Sequence, residues 1–145
     1  MSERDDFLAS VLPSQLEADT ALHAGDASRR KELWSHGDPV TVFGAAKTVS
    51  GWAEVEEIFD WLGRAFTGCE SYDLEVVSAG ASGDLGFIVG HERTKASVGD
   101  APVQAYELRV TLLFRREAGR WKAFHRHADP WPGSQGAVEQ INRIR

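Results

Sequence analysis

Residues 121–131 read Trp121-Lys122-Ala123-Phe124-His125-Arg126-His127-Ala128-Asp129-Pro130-Trp131, a strand pattern that carries a dense set of titratable groups. A strand has period two, so Trp121, Ala123, His125 and His127 share one face and Lys122, Phe124, Arg126 and Ala128 the other. Neither face is cleanly polar. Such a strand is expected to be covered on both sides, by the chain's own helices on one and by a second subunit on the other. Pro130 cannot donate to a ladder and ends it.

Working outward, the period stays near two back to residue 69. Strands are expected over 71–79, 85–97, 103–117 and 120–128, separated by the Gly-rich stretches 80–84 and 98–102 and by Ala118-Gly119. Turns this tight make the run antiparallel. Upstream the period is that of a helix. Over 3–24, Phe7, Leu8, Val11, Leu12, Leu16, Ala18, Ala21 and Leu22 recur by threes and fours, with a break expected around Pro13 and an end at Gly25. Asp26 and Ser28 are set to cap a short second helix through Leu33 and Trp34. A small hairpin follows, from Val40, Val42 and Phe43 to Thr48 and Val49. From a cap at Ser50, a third helix with Trp52, Val55, Ile58, Phe59, Leu62 and Phe66 on its apolar face runs to Gly68. Helices followed by a long meander give an α+β fold, a curved, mostly antiparallel sheet wrapped round three N-terminal helices. Residues 1–131 form one domain on this reading, and 132–145 are a C-terminal tail, either a short helix or disordered.

Composition narrows the function. With 145 residues and 42% hydrophobic content the chain buries a real core, and no apolar run approaches the roughly 20 residues of a membrane span. A net charge of −6, with scattered Arg and Lys, argues against nucleic acid. The acidic N-terminus lacks an apolar signal core, and the single Cys69 cannot form an internal disulfide, which suits a reducing cytoplasm. Glu70 beside it disfavours the thiolate a nucleophile needs.

The stretch Ala21-Leu22-His23-Ala24-Gly25-Asp26, then Leu33-Trp34, and the closing Gly119-Arg120-Trp121-Lys122-Ala123-Phe124-His125-Arg126-His127 resemble the nuclear transport factor 2-like superfamily, in its SnoaL-like and ketosteroid-isomerase-like branch. The likeness spans roughly residues 10 to 131. It implies a cone whose open end admits a small molecule and whose convex sheet face serves a homodimer. One scaffold here hosts isomerases, dehydratases, hydrolases, cyclases and assembly domains. On that scheme Lys122, Phe124, Arg126 and Ala128 face the pocket, with Arg109, Thr111 and Leu113, and Ile88, Gly90 and Glu92, on the neighbouring strands. Trp34 sits at the helical wall, and Trp121, Ala123, His125 and His127 face the interface.

The departures limit the chemistry. Where ketosteroid isomerases carry a base, a Tyr and a protonated acid, the corresponding positions fall on Val42, on Ala18 and near Thr111. Where limonene-epoxide-hydrolase-like members place the last carboxylate of their Asp-Arg-Asp set, this chain has Arg126. The ending also resembles the association domain of calcium/calmodulin-dependent protein kinase II, which closes on a His-x-His strand and has an Arg-lined pocket. Here Arg126 lies between the histidines.

Glu92, Arg109 and Arg126 are thus the charged groups expected inside, with Glu92 and Arg126 the candidate catalytic residues. A buried charge needs a partner, so Glu92 is expected to bridge Arg126 or Arg109 and to leave a guanidinium for a ligand oxygen. Trp34, Glu92, Arg109, Thr111, Leu113, Phe124 and Arg126 make up the expected ligand site. His125 and His127, with His91 or Asp129, are the one arrangement resembling metal ligands, but helical HExxH and Cys pairs are absent and neither metal nor cofactor is expected. His23 reads as a helix C-terminal imidazolium, His36 as a rim or solvent residue, and Trp61 as a contact surface. Two readings result: a binder or enzyme, such as a lyase, isomerase or hydrolase, for an apolar molecule with an anionic or carbonyl oxygen, or a non-catalytic dimerisation or sensing module.

Overall fold

The computed structural model describes residues 2–45 and 47–142, of which 140–142 are described by backbone alone. The elements in chain order are α1 (Glu3–His23), α2 (Ser28–Leu33), β1 (Thr41–Phe43), β2 (Thr48–Ser50), α3 (Trp52–Ala65), β3 (Phe66–Ser82), β4 (Leu85–Val98), β5 (Gln104–Glu117), β6 (Arg120–Pro130) and α4 (Gln135–Asn142).

Helix α1 opens on Ser2, whose hydroxyl accepts from the Asp5 amide at 3.1 Å, with Glu3, Asp5 and Asp6 in the first turn where the helix dipole favours them. The expected break at Pro13 does not occur, and the helix runs through it. An interior proline costs about 3 kcal/mol. Phe7, Val11 and Leu22 on the same helix are almost fully buried, each contributing about 1.5–3 kcal/mol, which outweighs that cost. Gly25 turns the chain at φ +103°, tight against the Phe66 carbonyl, where an added Cβ would lie at 3.2 Å.

Helix α3 stops at Ala65, three residues before the expected Gly68, and its cap is Gly51 rather than Ser50. Phe66 is extended and pairs with Val98, so its backbone joins the sheet while its ring is buried. The sheet order is β2-β1-β6-β5-β4-β3, antiparallel throughout except for the β1–β6 pair. Register shifts within β3 and at Leu113/Phe114 opposite β6 give this unclosed sheet its curvature. Helices α1 and α3 fill the concave side. At the narrow end Phe7 meets Phe114 and Trp121 edge-on at 5.3 and 4.9 Å, which closes the cone.

Candidate functional site

On β4 the even residues face inward as expected, and Ile88 and Glu92 are buried. On β5 the phase is the reverse of the expectation. Leu112 pairs with Arg126 and Leu108 with Glu92, so Tyr106, Leu108, Val110, Leu112 and Phe114 face the core. Arg109, Thr111 and Leu113 therefore stand on the convex face, and Arg109 pairs there with Asp129 at 3.5 Å. Cross-strand register, which follows from turn length and bulges, decides this.

Strand β6 keeps the expected phase for His125, Arg126, His127 and Ala128 but loses it before them. Leu113 pairs with His125 and Phe114 with Ala123, so Phe124 is the extra residue of a bulge. Trp121 and Ala123 consequently pack into the core, and Phe124 lies outside with the Arg115 guanidinium 5.0 Å from its ring. Lys122 reaches the Glu32 carbonyl at 2.5 Å instead of the pocket. Trp34 is core rather than pocket wall, edge-on to Phe59 at 5.1 Å.

A cavity of about 70 Å³ lies between α1, α2, α3 and the concave sheet face. Val42, Ile58, Leu62 and Ala128 give it apolar walls, and the β1–β2 turn and Val138 of α4 stand at its lining. Its buried polar groups are Arg30, Arg126, Glu92, His23 and Tyr106, and the exposed Lys47 stands in its lining as well.

Arg126 and Glu92 form the expected bridge, two-pronged and buried, with Nη1 to Oε2 at 3.1 Å and Nη2 to Oε1 at 2.6 Å. Tyr72 donates its hydroxyl to Oε2 at 2.5 Å. Burial pushes the Glu92 carboxyl up, but the Arg126 charge and the hydrogen bonds outweigh it and bring it down to about 2. Burial likewise opposes the Arg126 cation, and Glu92 more than offsets that, holding its pKa above the ordinary value. Glu92 is thus a fixed anion and a poor base.

A second buried pair was not anticipated. Arg30 of α2 donates through Nη2 to Asp19 Oδ1, and Gln15 donates to the other oxygen of Asp19. Burial brings the Arg30 guanidinium down to about 10, still a cation at neutral pH. His23 is not the exposed imidazolium the helix end suggested. Burial pulls it down to about 4, with Nδ1 2.6 Å from the Asp19 carbonyl and Nε2 hydrogen-bonded to the Tyr106 hydroxyl. The sequence does carry a signal for these groups: Phe7, Val11, Gln15, Asp19 and His23 recur every four residues, so three polar residues continue an apolar stripe.

The two buried ion pairs cancel, so no surplus buried charge remains among the described residues of the cavity, and the further cation in its lining, Lys47, is exposed. Ala18 is buried core and Val42 a cavity wall, while Thr111 is outside, so none of the three isomerase positions places an ionisable group in the cavity. His36 stacks on Trp52 at 4.0 Å, and Trp61 lies under Lys47 at 4.7 Å. Burial, rather than Glu70, raises the Cys69 thiol.

A cone of three N-terminal helices on a curved sheet, with a cavity at its open end, defines the nuclear transport factor 2-like class of fold. Residues 17–130 match the model of the SnoaL-like domain, and the chain belongs to that family. No curated protein matches the sequence significantly. Among solved structures, a proposed calcium/calmodulin-dependent protein kinase type II association domain from Thiobacillus denitrificans aligns with TM-score 0.69 at 20% identity, over 84% of this chain and 95% of that one. A proposed dehydratase of the NTF2-like family from Streptomyces avermitilis gives 0.68 at 20% identity, over 88% and 98%. A protein with a cystatin-like fold from Caulobacter vibrioides gives 0.69 at 16% identity, over 99% and 100%. Likeness at these identities concerns the fold.

Proposed function

We propose that the protein binds a small, mostly apolar, uncharged molecule through a carbonyl or hydroxyl oxygen, in the cavity that holds His23, Arg30, Glu92, Tyr106 and Arg126. The observation that carries this reading is the pairing of every buried formal charge described there, while Lys47, exposed in the lining, lies over the Trp61 ring. Arg126 is matched by Glu92 and Arg30 by Asp19, while burial keeps His23 neutral. An anion entering the buried part of the site gains no net counter-charge there and loses its hydration, whereas a neutral molecule gains apolar contact plus one or two hydrogen bonds. The family and the neighbouring dehydratase make a lyase, isomerase or hydrolase reaction on that molecule the natural extension, with Glu92 and Arg126 shaping the site as a locked pair.

The test is a titration of acetophenone and of benzoate, followed by backbone amide shifts. Acetophenone is expected to shift cavity residues such as Leu22, Ile58 and Ala128, and benzoate to bind more weakly. Tighter binding of benzoate, or shifts confined to the convex face, overturns the reading.

A second reading, an assembly role through the convex face, is favoured by one observation. Phe43, Val77, Leu85, Phe87 and Val89 are exposed there, and Phe124 and Leu113 line a shallow apolar groove beside them. His125 and His127 flank Phe43 edge-on at 5.4 and 5.7 Å on the same face. A homodimer sealed by this face leaves the cavity mouth open, so the two readings are compatible.

A further inference from the structure

The direction of each hydrogen bond at the deep end of the cavity can be assigned. The Asp19 carbonyl can only accept, so His23 Nδ1 carries the proton. A neutral imidazole has one N–H, so Nε2 is bare and accepts from the Tyr106 hydroxyl. Tyr106 has a single hydrogen and it is committed to His23, so its oxygen presents only lone pairs to the cavity. The chain Tyr106–His23–Asp19 therefore runs its hydrogens towards the Asp19 carbonyl and offers the cavity lone pairs rather than donors.

Arg30 offers the opposite. One N–H goes to Asp19, and the guanidinium carbon lies 5.2 Å from the Phe59 ring centre. Its remaining N–H groups have no acceptor among the described residues, although the side chain is only 4% exposed. A buried donor without an acceptor is costly, and this one lines the same cavity as Tyr106.

We infer that the deep end of this cavity selects a hydroxyketone, a ligand whose hydroxyl donates to the Tyr106 oxygen while its neighbouring carbonyl accepts from Arg30. The inference rests on the small-molecule reading above and specifies which molecules that site takes. A simple ketone satisfies Arg30 but leaves the acceptor unused. A carboxylate satisfies Arg30 but sets a charge against the lone pairs of Tyr106 and the nearby Glu92. An α- or β-hydroxyketone satisfies both groups without net charge.

Three probes test it: acetophenone, α-hydroxyacetophenone and β-hydroxypropiophenone, titrated calorimetrically into the wild type and Tyr106→Phe. At least one hydroxyketone is expected to bind wild type roughly 10-fold more tightly than acetophenone. That advantage is expected to vanish in Tyr106→Phe, the ratio of hydroxyketone to acetophenone affinity falling to within about 2-fold of unity. In parallel, imidazole nitrogen NMR of the unliganded wild type is expected to show His23 neutral and protonated at Nδ1. This measurement and the wild-type affinity ratio decide the matter even if Tyr106→Phe fails to fold. If acetophenone binds and neither hydroxyl adds affinity, or if His23 carries its proton on Nε2, the inference falls and the small-molecule reading stands. If none of the three probes binds, both fall together.

Discussion

Arg126 on β6 and Glu92 on β4 reach each other across the intervening β5, both buried and joined by two hydrogen bonds of 3.1 and 2.6 Å. Leu108 and Leu112, their partners in register on β5, form the apolar floor beneath the pair. The low dielectric that makes this attraction strong also makes either charge expensive to leave alone.

Glu92→Gln keeps the shape and removes the counter-charge, so the Arg126 guanidinium is left buried without one. The expected loss is about 3–5 kcal/mol in urea unfolding. Pairing it with Arg126→Met is expected to recover much of that loss, because the orphaned charge is gone. A double variant no more stable than Glu92→Gln would show that packing, not charge, is what the site protects.

Acid stability is expected to fall in two steps. His23 drops from 6.5 to about 4 on folding, so below 6.5 the unfolded chain takes up a proton the folded one refuses, and stability is lost as pH falls from 6.5 to 4. Glu92 drops from 4.5 to about 2, so its contribution is intact above 4.5 and is lost as pH falls from there towards 2. His23→Gln is expected to flatten the upper step and leave the lower. Chemical denaturation at a series of pH values reads both.

Arg109→Ala is expected to leave ketone binding within about 2-fold of wild type, since its guanidinium sits on the convex face with Asp129. Arg30→Met is expected to weaken it roughly 10-fold by removing the buried donor. Because Arg30→Met also orphans Asp19, Asp19→Asn/Arg30→Met serves as the folded control. Calorimetry with acetophenone that ranked the two positions the other way would refute the strand phase described for β5.

Val77→Lys with Phe87→Lys places two charges on the exposed apolar convex face, where Val77 is 61% and Phe87 39% exposed. Light scattering is expected to give twice the 16.0 kDa chain mass for wild type and the single mass for the variant. A wild type of single mass at micromolar concentration would remove the assembly reading.

Gly90→Ala is expected to destabilise by about 1–3 kcal/mol, because its Cβ would lie 2.2 Å from the Glu75 carbonyl oxygen across the β3–β4 pair. The adjacent register shift between Val76 and Ser78 draws the two backbones together here. An unchanged melting temperature would mean that β3 slides freely at this point.

Local patterns settled a large part of the molecule. The switch of hydrophobic period near residue 69 placed helices before sheet, and the Gly-rich turns set the antiparallel order of the last four strands. The chemistry of Glu92 and Arg126 was also legible, because two opposite charges in apolar strands have little choice but to find each other. Boundaries yielded less to this reading. Phe66 fits the apolar face of α3, yet the backbone leaves the helix to pair with Val98, since a residue can satisfy a pattern in one element and its hydrogen bonds in another.

What tertiary structure alone decided is which side each strand shows to the cavity. Alternation along β5 fits Arg109, Thr111 and Leu113 inside as well as it fits Leu108, Val110 and Leu112, and the pairing of Arg126 with Leu112 breaks the tie. One extra residue at Phe124 then reverses the first half of β6 and exchanges Trp121 for Phe124. A register shift of one residue costs nothing in local sequence and turns every side chain over, so it is fixed only by contacts between strands distant in the chain. The assembly of Asp19, His23, Arg30 and Tyr106 is of the same kind. Each comes from a different turn or element, and only the packing of α1 and α2 against the sheet makes them one site.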